Sequence, residues 1–350
     1  MITEAQGNLL ASPVDALVNT VNTQGVMGKG IALQFKRAFP AMFRDYAAAA
    51  KRGEIVLGRM YVWPTQTLDG PKYVINFPTK GHWRNPSRLE DIKSGLNDLV
   101  RIIQELSISS IAVPPLGCGN GGLDWGQVEP LIHHAFADLP EVDVQLFAPV
   151  GTPKAADMLN NTPRPPMTAG RAALVGIIED YMHQAQSEPS LIETQKLMYF
   201  LQVLGEPLKL QFAARHYGPY ADNLRHVLNI VEGHYLTGFG DGTAKVTDAE
   251  VIKTVAGVYE HVTRELDKHP DTKARMEQVL KLADGYESAY GMELLATVHW
   301  LAASAPPGTT DEDIVLKVSD WSPRKSRMFT APHVRSALET LRSHSLLATA

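Results

Sequence analysis

Apolar residues in the first 149 positions follow two alternating patterns, which together predict an α/β fold. Continuous runs rich in β-branched residues occupy 15–22, 72–77 and 110–116, and such runs are typical of strands buried on both faces of a sheet. Residues 30–39 instead carry apolar side chains at helical spacing. Further strands are predicted at 54–63 and 142–149, and further helices at 41–51, from the capping box Ser87–Glu90 to Leu106, and at 124–138.

Three polar segments follow the ends of predicted strands. Asn22 ends the first strand, Lys80 follows the strand at 72–77, and the glycine-rich segment 117–122 follows the strand at 110–116. In parallel α/β sheets, ligands bind in the crevice beyond the carboxyl ends of the strands. The sequence therefore predicts that these segments share one site.

The pattern changes after position 150. Residues 151–170 are proline-rich and lack apolar periodicity, which is typical of a linker. We therefore predict a domain at 1–150, a linker at 151–170 and a mainly helical domain at 171–350. Helices are predicted at 172–185, 190–204, 219–231, 248–266, 272–283, 292–303 and 332–347, and strands at 208–213 and 314–318.

The composition and net charge of the chain exclude several classes of function. The chain has 350 residues, of which 44% are hydrophobic and 20% charged, as in globular proteins of two domains. A net charge of −5 provides no general basic field for nucleic acid. The single cysteine excludes an intrachain disulfide and fits a reducing cytoplasm. We expect no metal site, no signal peptide and no membrane span.

Two glycine-rich turns are candidates for phosphate binding. Gly28-Lys29-Gly30 precedes a predicted helix, whose N-terminal N–H groups favour anions. Residues 117–122 contain four glycines in six positions, so that successive N–H groups can form an anion nest. Two such turns in one domain suit a diphosphate. The alternative is that both are ordinary tight turns.

Asparagine and lysine side chains at the strand ends are candidates for contact with a sugar. Asn19 and Asn22 could each donate to and accept from sugar hydroxyls, or simply form a turn. Lys80 is either a solvated strand end or an amine that its apolar neighbours desolvate and activate as a nucleophile or base. Cys118 has no histidine nearby in sequence, so we interpret it as a small buried thiol.

The aromatic and basic residues after Lys80 offer contacts for nucleic acid. Trp83 could stack on a base and Arg84 could bind a phosphate, or both could pack against the surface. In the second half, residues 195–200 and 214–220 are either core and turn, or a surface for a protein partner. In the latter case Tyr199, Arg215, Tyr217 and Tyr220 would contact that partner.

The first 150 residues resemble a macrodomain. The motifs that carry the resemblance are Gly7-Asn-Leu-Leu10, Ala16–Asn22, Met27–Ala32 and Pro115–Gly119. It implies a three-layer α/β fold with a mostly parallel or mixed central sheet that binds ADP-ribose. Adenosine would lie near Asn8 and Leu9. The diphosphate would lie between two sets of residues, Gly28, Lys29, Gly30 and Ile31 on one side and Leu116, Gly117, Cys118, Gly119, Asn120, Gly121, Gly122 and Leu123 on the other. The distal ribose would lie by Asn19, Thr20, Asn22 and Lys80.

Residues 28–36 and 76–80 are more narrowly similar to the DNA ADP-ribosyl glycohydrolase antitoxins, DarG. The resemblance implies removal of ADP-ribose from thymidine in single-stranded DNA, which reverses the partner toxin DarT. It also implies that Lys80 is catalytic and that Asn22 contacts the ribose. Related animal enzymes add an aspartate where this chain has Gly121, so their lysine–aspartate mechanism does not transfer directly.

Residues 171–240 resemble the Panacea antitoxin domain, chiefly through Gln195–Phe200 and His216–Pro219. This resemblance implies a module that binds and neutralises the toxin. The net charge of −4 over residues 151–350 could help the second domain to occupy a DNA-binding groove. We expect ADP-ribose to bind as a product ligand, and we expect no cofactor. Three alternatives remain: a hydrolase of ADP-ribosylated protein or O-acyl-ADP-ribose, a non-enzymatic ADP-ribose reader, and a pure toxin sequestrant.

Overall fold

The computed structural model describes residues 1–67 and 69–348, which form two compact units. The first unit comprises Met1–Pro163 and the tripeptide Asp241–Thr243, and the second comprises Arg164–Gly240 and the chain from Ala244 onward. The boundary at Pro163 lies inside the segment that the sequence predicts as a linker.

The first unit is built around a six-stranded sheet. Its elements are β1 (Ile2–Ala5), β2 (Ala16–Asn22), α1 (Gly30–Ala38), α2 (Pro40–Lys51), β3 (Tyr61–Pro64), β4 (Tyr73–Lys80), α3 (Leu89–Glu105), β5 (Ser110–Val113), α4 (Trp125–Phe136) and β6 (Asp143–Phe147). The strand order is β1-β6-β5-β2-β4-β3, and only the β3–β4 pair is antiparallel.

Apolar side chains cover both faces of this sheet. One core joins the sheet to α3 and α4 through residues such as Leu96 and Ile132, and the other joins it to α1 and α2 through Phe35 and Met42. Because both faces are buried, the central strands are apolar without alternation. This three-layer arrangement confirms the α/β fold that the sequence predicts.

Three local predictions in the first unit were wrong. The strand predicted at 54–63 is formed only at Tyr61–Pro64, because Gly53 and Gly58 adopt positive φ angles in turns before it. The strand β1 was not predicted. The predicted capping box is absent, since the N-cap of α3 is Arg88 and has no side-chain hydrogen bond.

The second unit is mainly helical, as the sequence predicts. Its elements are α5 (Ala169–Ala185), α6 (Leu191–Val203), β7 (Phe212–Arg215), β8 (Gly218–Ala221), α7 (Leu224–Val231), β9 (Leu236–Thr237), β10 (Lys253–Thr254), α8 (Tyr259–Leu266), α9 (Pro270–Ala283), α10 (Ala289–Ala303), α11 (Asp311–Trp321), α12 (Pro323–Met328) and α13 (Ala331–Ser343). In the described part of the chain, none of the helices combines the length and apolar character needed to cross a membrane.

Several predictions in this unit were also wrong. The strand predicted at 208–213 is formed only from Phe212 to Arg215, and the first residues of the helix predicted at 219–231 belong to β8. Residues 314–318 lie in α11 and form no strand, because Thr310 and Asp313 form a capping box that starts a helix there. Of the helix predicted at 248–266, only Tyr259–Leu266 is helical. Residues before it instead form β10, which pairs with β9.

A buried cluster of charged side chains lies at the centre of the second unit. The Lys196 side chain is fully buried, and its Nζ donates to the backbone oxygen of Pro219 at 2.6 Å. Lys325, also fully buried, donates to Glu293 at 2.5 Å and to Thr297 Oγ1 at 3.0 Å. Desolvation by burial lowers the pKa of Lys196 to about 7. The hydrogen bond from Lys196 to Pro219 therefore holds the start of β8 in place.

Candidate functional site

Strands β2 and β4 deliver two predicted site residues to the same edge of the sheet. Asn22 is the register partner of Lys80, at a β-bulge that ends the regular pairing. Immediately beyond, the Thr23 N–H donates to the backbone oxygen of Lys80 at 3.1 Å. Tyr46 holds the bulge from the α2 side, since its hydroxyl donates to the backbone oxygen of Asn22. The sheet thus fixes Asn22 and Lys80 side by side.

The amide of Asn22 closes a turn. Its Nδ2 donates to the Val26 oxygen at 2.6 Å, and its Oδ1 accepts from the Gln24 N–H at 3.0 Å. The side chain is 6% exposed. This is the turn-forming role that the sequence left open, and it also holds the 22–26 turn against the site.

Lys80 is half-buried and reaches across the site. Its Nζ donates to the backbone oxygen of Asn120 in the glycine-rich loop at 2.7 Å. Desolvation by burial lowers the pKa of this amine below its ordinary value. No carboxylate among the described residues forms an ion pair with it. The amine is therefore fixed in position and partly desolvated.

The loop after β5 presents unused hydrogen-bond donors. It is closed by two internal bonds, from the Gly122 N–H to the Gly119 oxygen and from the Leu123 N–H to the Gly117 oxygen, both 3.1 Å. Within the described chain, the N–H groups of Gly119, Asn120 and Gly121 have no acceptor. Successive free N–H groups in a turn form a nest that binds anions. The loop therefore presents three N–H donors that an anion could accept from.

Gly121 can only be a glycine in this loop. A Cβ atom at this position would lie 2.3 Å from the Gly117 oxygen and 2.3 Å from the Ser87 hydroxyl. The Ser87 N–H donates to the Gly121 oxygen at 2.9 Å, and the Ser87 hydroxyl is buried without a partner among the described residues. An aspartate at position 121 is therefore excluded on steric grounds.

The N-terminus of α1 differs from the expectation for a free phosphate-binding turn. Its first N–H, from Gly30, donates to the backbone oxygen of Asp241 at 3.2 Å. The Asp241 carboxylate accepts from Gln34 Nε2 at 2.7 Å, and both side chains are buried. Thr243 lies beside Gly30, since a Cβ on Gly30 would be 3.3 Å from the Thr243 methyl group. Sequence reasoning missed this tripeptide because nothing in its composition links it to a turn about 200 residues earlier.

The structure does not place Asn19 at the surface of the site. The residue is completely buried, and its Nδ2 donates to Asn76 Oδ1 on the neighbouring strand at 2.8 Å. Its Oδ1 atom has no partner among the described residues. The expectation that this amide reaches the crevice was wrong, because the strand continues for three residues beyond it and keeps it between the sheet layers.

The remaining predicted ligand contacts are distributed along the same edge. Asn8 accepts from the Leu10 N–H at 3.1 Å and caps a short 3₁₀ turn that contains Leu9. Leu9 and Leu116 are buried, so that only their backbone could contact a ligand. The residues with partly or fully exposed surface are Asn8, Thr20, Gly28, Lys29, Ile31, Cys118, Gly119, Asn120, Gly122 and Leu123.

The thiol of Cys118 is not activated. Burial and the nearby Asp124 carboxylate raise the pKa of this thiol to about 11. Its Sγ faces the Leu116 oxygen at 3.6 Å. A thiol in this environment stays protonated at neutral pH and is a poor nucleophile. The prediction of an unactivated thiol agrees with this environment, but Cys118 is half-buried and not fully buried.

The predicted partner surface of the second unit is only partly on the surface. Tyr199 is 5% exposed, and its hydroxyl is 2.7 Å from His299 Nδ1. Its assignment to an exposed interface was therefore wrong, because the apolar face of α6 faces the core. Arg215 is exposed, and Tyr217 and Tyr220 are half-buried, on the β7–β8 hairpin. Among the described residues, no three His, Cys, Asp or Glu side chains lie close enough to hold a metal ion.

Comparison with known proteins gives consistent matches. The Macro domain family model matches residues 18–132. A DNA ADP-ribosyl glycohydrolase of Mycobacterium bovis is 44% identical, over 97% of this chain and 99% of its own length. A transferase–glycohydrolase fusion protein acting on DNA, from Thermosipho africanus, is 36% identical over 41% of each chain. The macrodomain of Mycobacterium tuberculosis DarG is 60% identical, covering 43% of this chain and 98% of that one, with a TM-score of 0.42.

The similarity to the Mycobacterium bovis protein extends over both units, and the two lengths nearly coincide. The Macro domain match covers the strands and loops that form the candidate site, from β2 to α4. The chain therefore belongs to the DNA ADP-ribosyl glycohydrolase family, DarG.

Proposed function

We propose that this protein hydrolyses the N-glycosidic bond between ADP-ribose and thymidine in single-stranded DNA, and so acts as the antitoxin of a DarT-like DNA ADP-ribosyltransferase. The observation that carries the proposal is the position of Lys80. Its half-buried amine lies 2.7 Å from the glycine-rich loop and beside Asn22 on the adjacent strand. The 44% identity to a DNA ADP-ribosyl glycohydrolase over nearly the whole chain supports the substrate.

ADP-ribose would bind along the edge of the sheet with its diphosphate on the loop. The free N–H groups of Gly119, Asn120 and Gly121 would donate to phosphate oxygens. The distal ribose would then lie between the 22–26 turn and Lys80. Adenosine would extend toward Asn8. Because the donors belong to a closed loop, little ordering is needed when the diphosphate binds.

The amine can act on the anomeric carbon in two ways. In the covalent form, Lys80 Nζ bonds to this carbon while the bond to the thymine nitrogen breaks, and thymine leaves with the electron pair and takes up a proton. The bond from the anomeric carbon to the ring oxygen then breaks, and the oxygen takes up the remaining proton of the amine, which gives a ring-opened imine at Lys80. Water adds to the imine carbon, the Lys80 amine leaves with a proton, and the ribose ring closes as ADP-ribose is released. In the electrostatic form, the Lys80 amine forms no bond to this carbon, and water attacks the carbon directly while thymine leaves with the electron pair. Borohydride treatment during turnover separates the two, since only an imine at Lys80 is reduced to a stable adduct.

The substrate class is tested with the full-length protein. Single-stranded DNA carrying ADP-ribosyl-thymidine, an ADP-ribosylated protein and O-acyl-ADP-ribose are each incubated with the enzyme, and released ADP-ribose is measured. We expect release from the DNA at a rate at least about tenfold higher than from the other two. Release from protein alone would contradict the DNA assignment.

The second unit is proposed to bind the toxin. The fusion relative, which combines a DNA ADP-ribosyl transferase and glycohydrolase in one protein, supports a transferase as the partner. The exposed Arg215 on the β7–β8 hairpin offers a contact for it. In this proposal, residues 1–150 bind and hydrolyse the ADP-ribosyl group and residues 171–350 bind the toxin. The proposal also includes a cytoplasmic location. Co-purification of the full-length protein with a DarT-like toxin tests it, and loss of the complex in Arg215→Glu is the expected result.

A further inference from the structure

Three flat side chains follow Lys80 and stack on one another. The His82 and Trp83 rings have centroids 5.5 Å apart and planes 25° apart. The guanidinium carbon of Arg84 lies 4.5 Å from the centroid of the Trp83 ring. Trp83 is 46% exposed, although a tryptophan side chain is usually well buried. This exposed stack begins two residues beyond the reactive amine.

Hydrogen bonds fix both ends of the segment that carries the stack, which we define as the rim segment, residues 81–87. At its start, Thr23 Oγ1 donates to the Gly81 oxygen at 2.7 Å. At its end, the Ser87 N–H donates to the Gly121 oxygen at 2.9 Å. The rim segment is therefore anchored to both the 22–26 turn and the phosphate-binding loop, next to the candidate site.

Internal bonds also set the shape of the rim segment. The Arg84 N–H donates to His82 Nδ1 at 3.2 Å, and the Asn85 N–H donates to the His82 oxygen at 3.0 Å. Because Nδ1 accepts, the imidazole has its free nitrogen on the opposite side of the ring. The His82 ring is thus oriented before any ligand binds.

The Trp83 indole N–H and the Arg84 guanidinium have no hydrogen-bond or ion-pair partner among the described residues. Comparable residues nearby do have partners: Arg88 pairs with Glu90 at 3.8 Å, and the Trp63 indole donates to Asp45 at 2.9 Å. An exposed aromatic ring beside an unpaired guanidinium is the combination that binds a base and its phosphate.

We propose that the rim segment is a stacking platform for a nucleobase adjacent to the modified thymidine, with Arg84 at the phosphate between them. This inference rests on the proposed function and deepens it, since it assigns the part of the substrate that distinguishes DNA from protein. Stacking on Trp83 accepts any base, because every base has a flat face. The platform therefore strengthens binding of single-stranded DNA without selecting a sequence.

The test compares two substrates in the full-length protein. One is a single-stranded oligonucleotide with one ADP-ribosyl-thymidine, and the other is the ADP-ribosyl-thymidine mononucleotide, which has no neighbouring base. For Trp83→Ala we expect KM for the oligonucleotide to rise about tenfold, with kcat for both substrates, KM for the mononucleotide and the Kd of free ADP-ribose unchanged. Trp83→Phe should retain most of the wild-type KM.

The role of Arg84 is tested separately, by the salt dependence of DNA binding. Arg84→Ala should lower the slope of log affinity for unmodified single-stranded DNA against log salt by about 0.7, the value for one released counterion. Arg88→Ala is the matched control, because its exposed side chain is already paired with Glu90, and its slope should equal that of the wild type.

The results that overturn the platform differ from those that overturn the proposed function. An unchanged oligonucleotide KM in Trp83→Ala, or an equal rise in KM for both substrates, contradicts the platform. If the wild type releases ADP-ribose from neither substrate, the proposed function is contradicted. In that case equal affinities of the wild type and Trp83→Ala for unmodified single-stranded DNA would contradict the platform, and weaker binding by Trp83→Ala would support it.

Discussion

Lys80 in the first unit and Lys196 in the second have amines with similar hydrogen bonds and similarly lowered pKa values. Each Nζ donates to one backbone oxygen, that of Asn120 at 2.7 Å and that of Pro219 at 2.6 Å, respectively. Desolvation lowers the pKa of both amines. They differ in access, because Lys80 is half-buried at the sheet edge whereas Lys196 is fully buried under β8.

This difference teaches that a lowered lysine pKa does not identify a catalytic residue by itself. Lys80 faces a loop with three unused N–H donors, so that a ligand can reach its amine. Lys196 faces Gly218, where even a Cβ atom would lie 2.7 Å from Thr297 Oγ1. We therefore propose a chemical role for Lys80, whereas Lys196 packs against the β7–β8 hairpin.

The largest effect on ligand binding is expected from the loop that faces Lys80. Gly121→Ala introduces a methyl group into a space that the Gly117 oxygen and the Ser87 hydroxyl occupy, so the loop must shift. We expect the affinity for ADP-ribose to fall about a hundredfold, measured by calorimetry. Gly119→Ala is the control, because its added methyl group meets no atom within 4 Å. Equal affinities of the two variants would show that the loop does not hold the diphosphate.

The second prediction concerns the free energy of unfolding, which the burial of the Lys196 amine lowers. The folded pKa of this amine, about 7, lies below the ordinary value of 10.5, so between these pH values the unfolded chain binds more protons. Stability of the wild type should therefore rise with pH across this window, and the penalty of burying the charge is complete below pH 7. Lys196→Met removes that penalty, which is on the order of 4 kcal/mol at neutral pH.

Urea unfolding at pH 7, 8.5 and 10 measures this effect. The stability advantage of Lys196→Met over the wild type should shrink as the pH rises toward 10.5. Lys317→Met, at an exposed position of α11, should show a pH-independent difference near zero. A pH-independent difference for Lys196→Met as well would mean that the amine is not desolvated in the folded protein.

The smallest effect is expected from the thiol in the same loop as the site. Cys118→Ala should change the rate of ADP-ribose release by less than about twofold, because the thiol has its pKa raised to about 11 and stays protonated. Iodoacetamide should likewise leave the wild-type rate unchanged at neutral pH. A tenfold loss in Cys118→Ala would assign chemistry to the sulfur and weaken the distinction between the two lysines.

Much of the first unit could be predicted because its signals are local. Continuous apolar runs identified β2, β4 and β5, and their order along the chain placed Lys80 and the loop at residues 117–122 on one edge. Asn19 could not be placed in this way, since its burial depends on the partner Asn76 on another strand. The contact of Asp241 with Gly30 is likewise non-local, and the sequence contains no signal for it.

Short apolar runs were the main source of error in the second unit. The run at 314–318 suits a strand or a helix equally well by periodicity. The Thr310–Asp313 capping box decides for the helix, and it lies just before the run. Ser87 shows the opposite case, in which a capping-box pattern is present but its serine packs under the Gly117–Gly122 loop. Local patterns predict structure only where no tertiary contact competes for the same side chain.

The most direct test of the central claim is the single-turnover rate of Lys80→Ala on single-stranded DNA carrying ADP-ribosyl-thymidine, together with its Kd for ADP-ribose. We predict a rate about a thousandfold lower than that of the wild type, with the Kd within about threefold because the loop donors remain. A rate within tenfold of the wild type, at unchanged Kd, would contradict the assignment of the chemistry to Lys80.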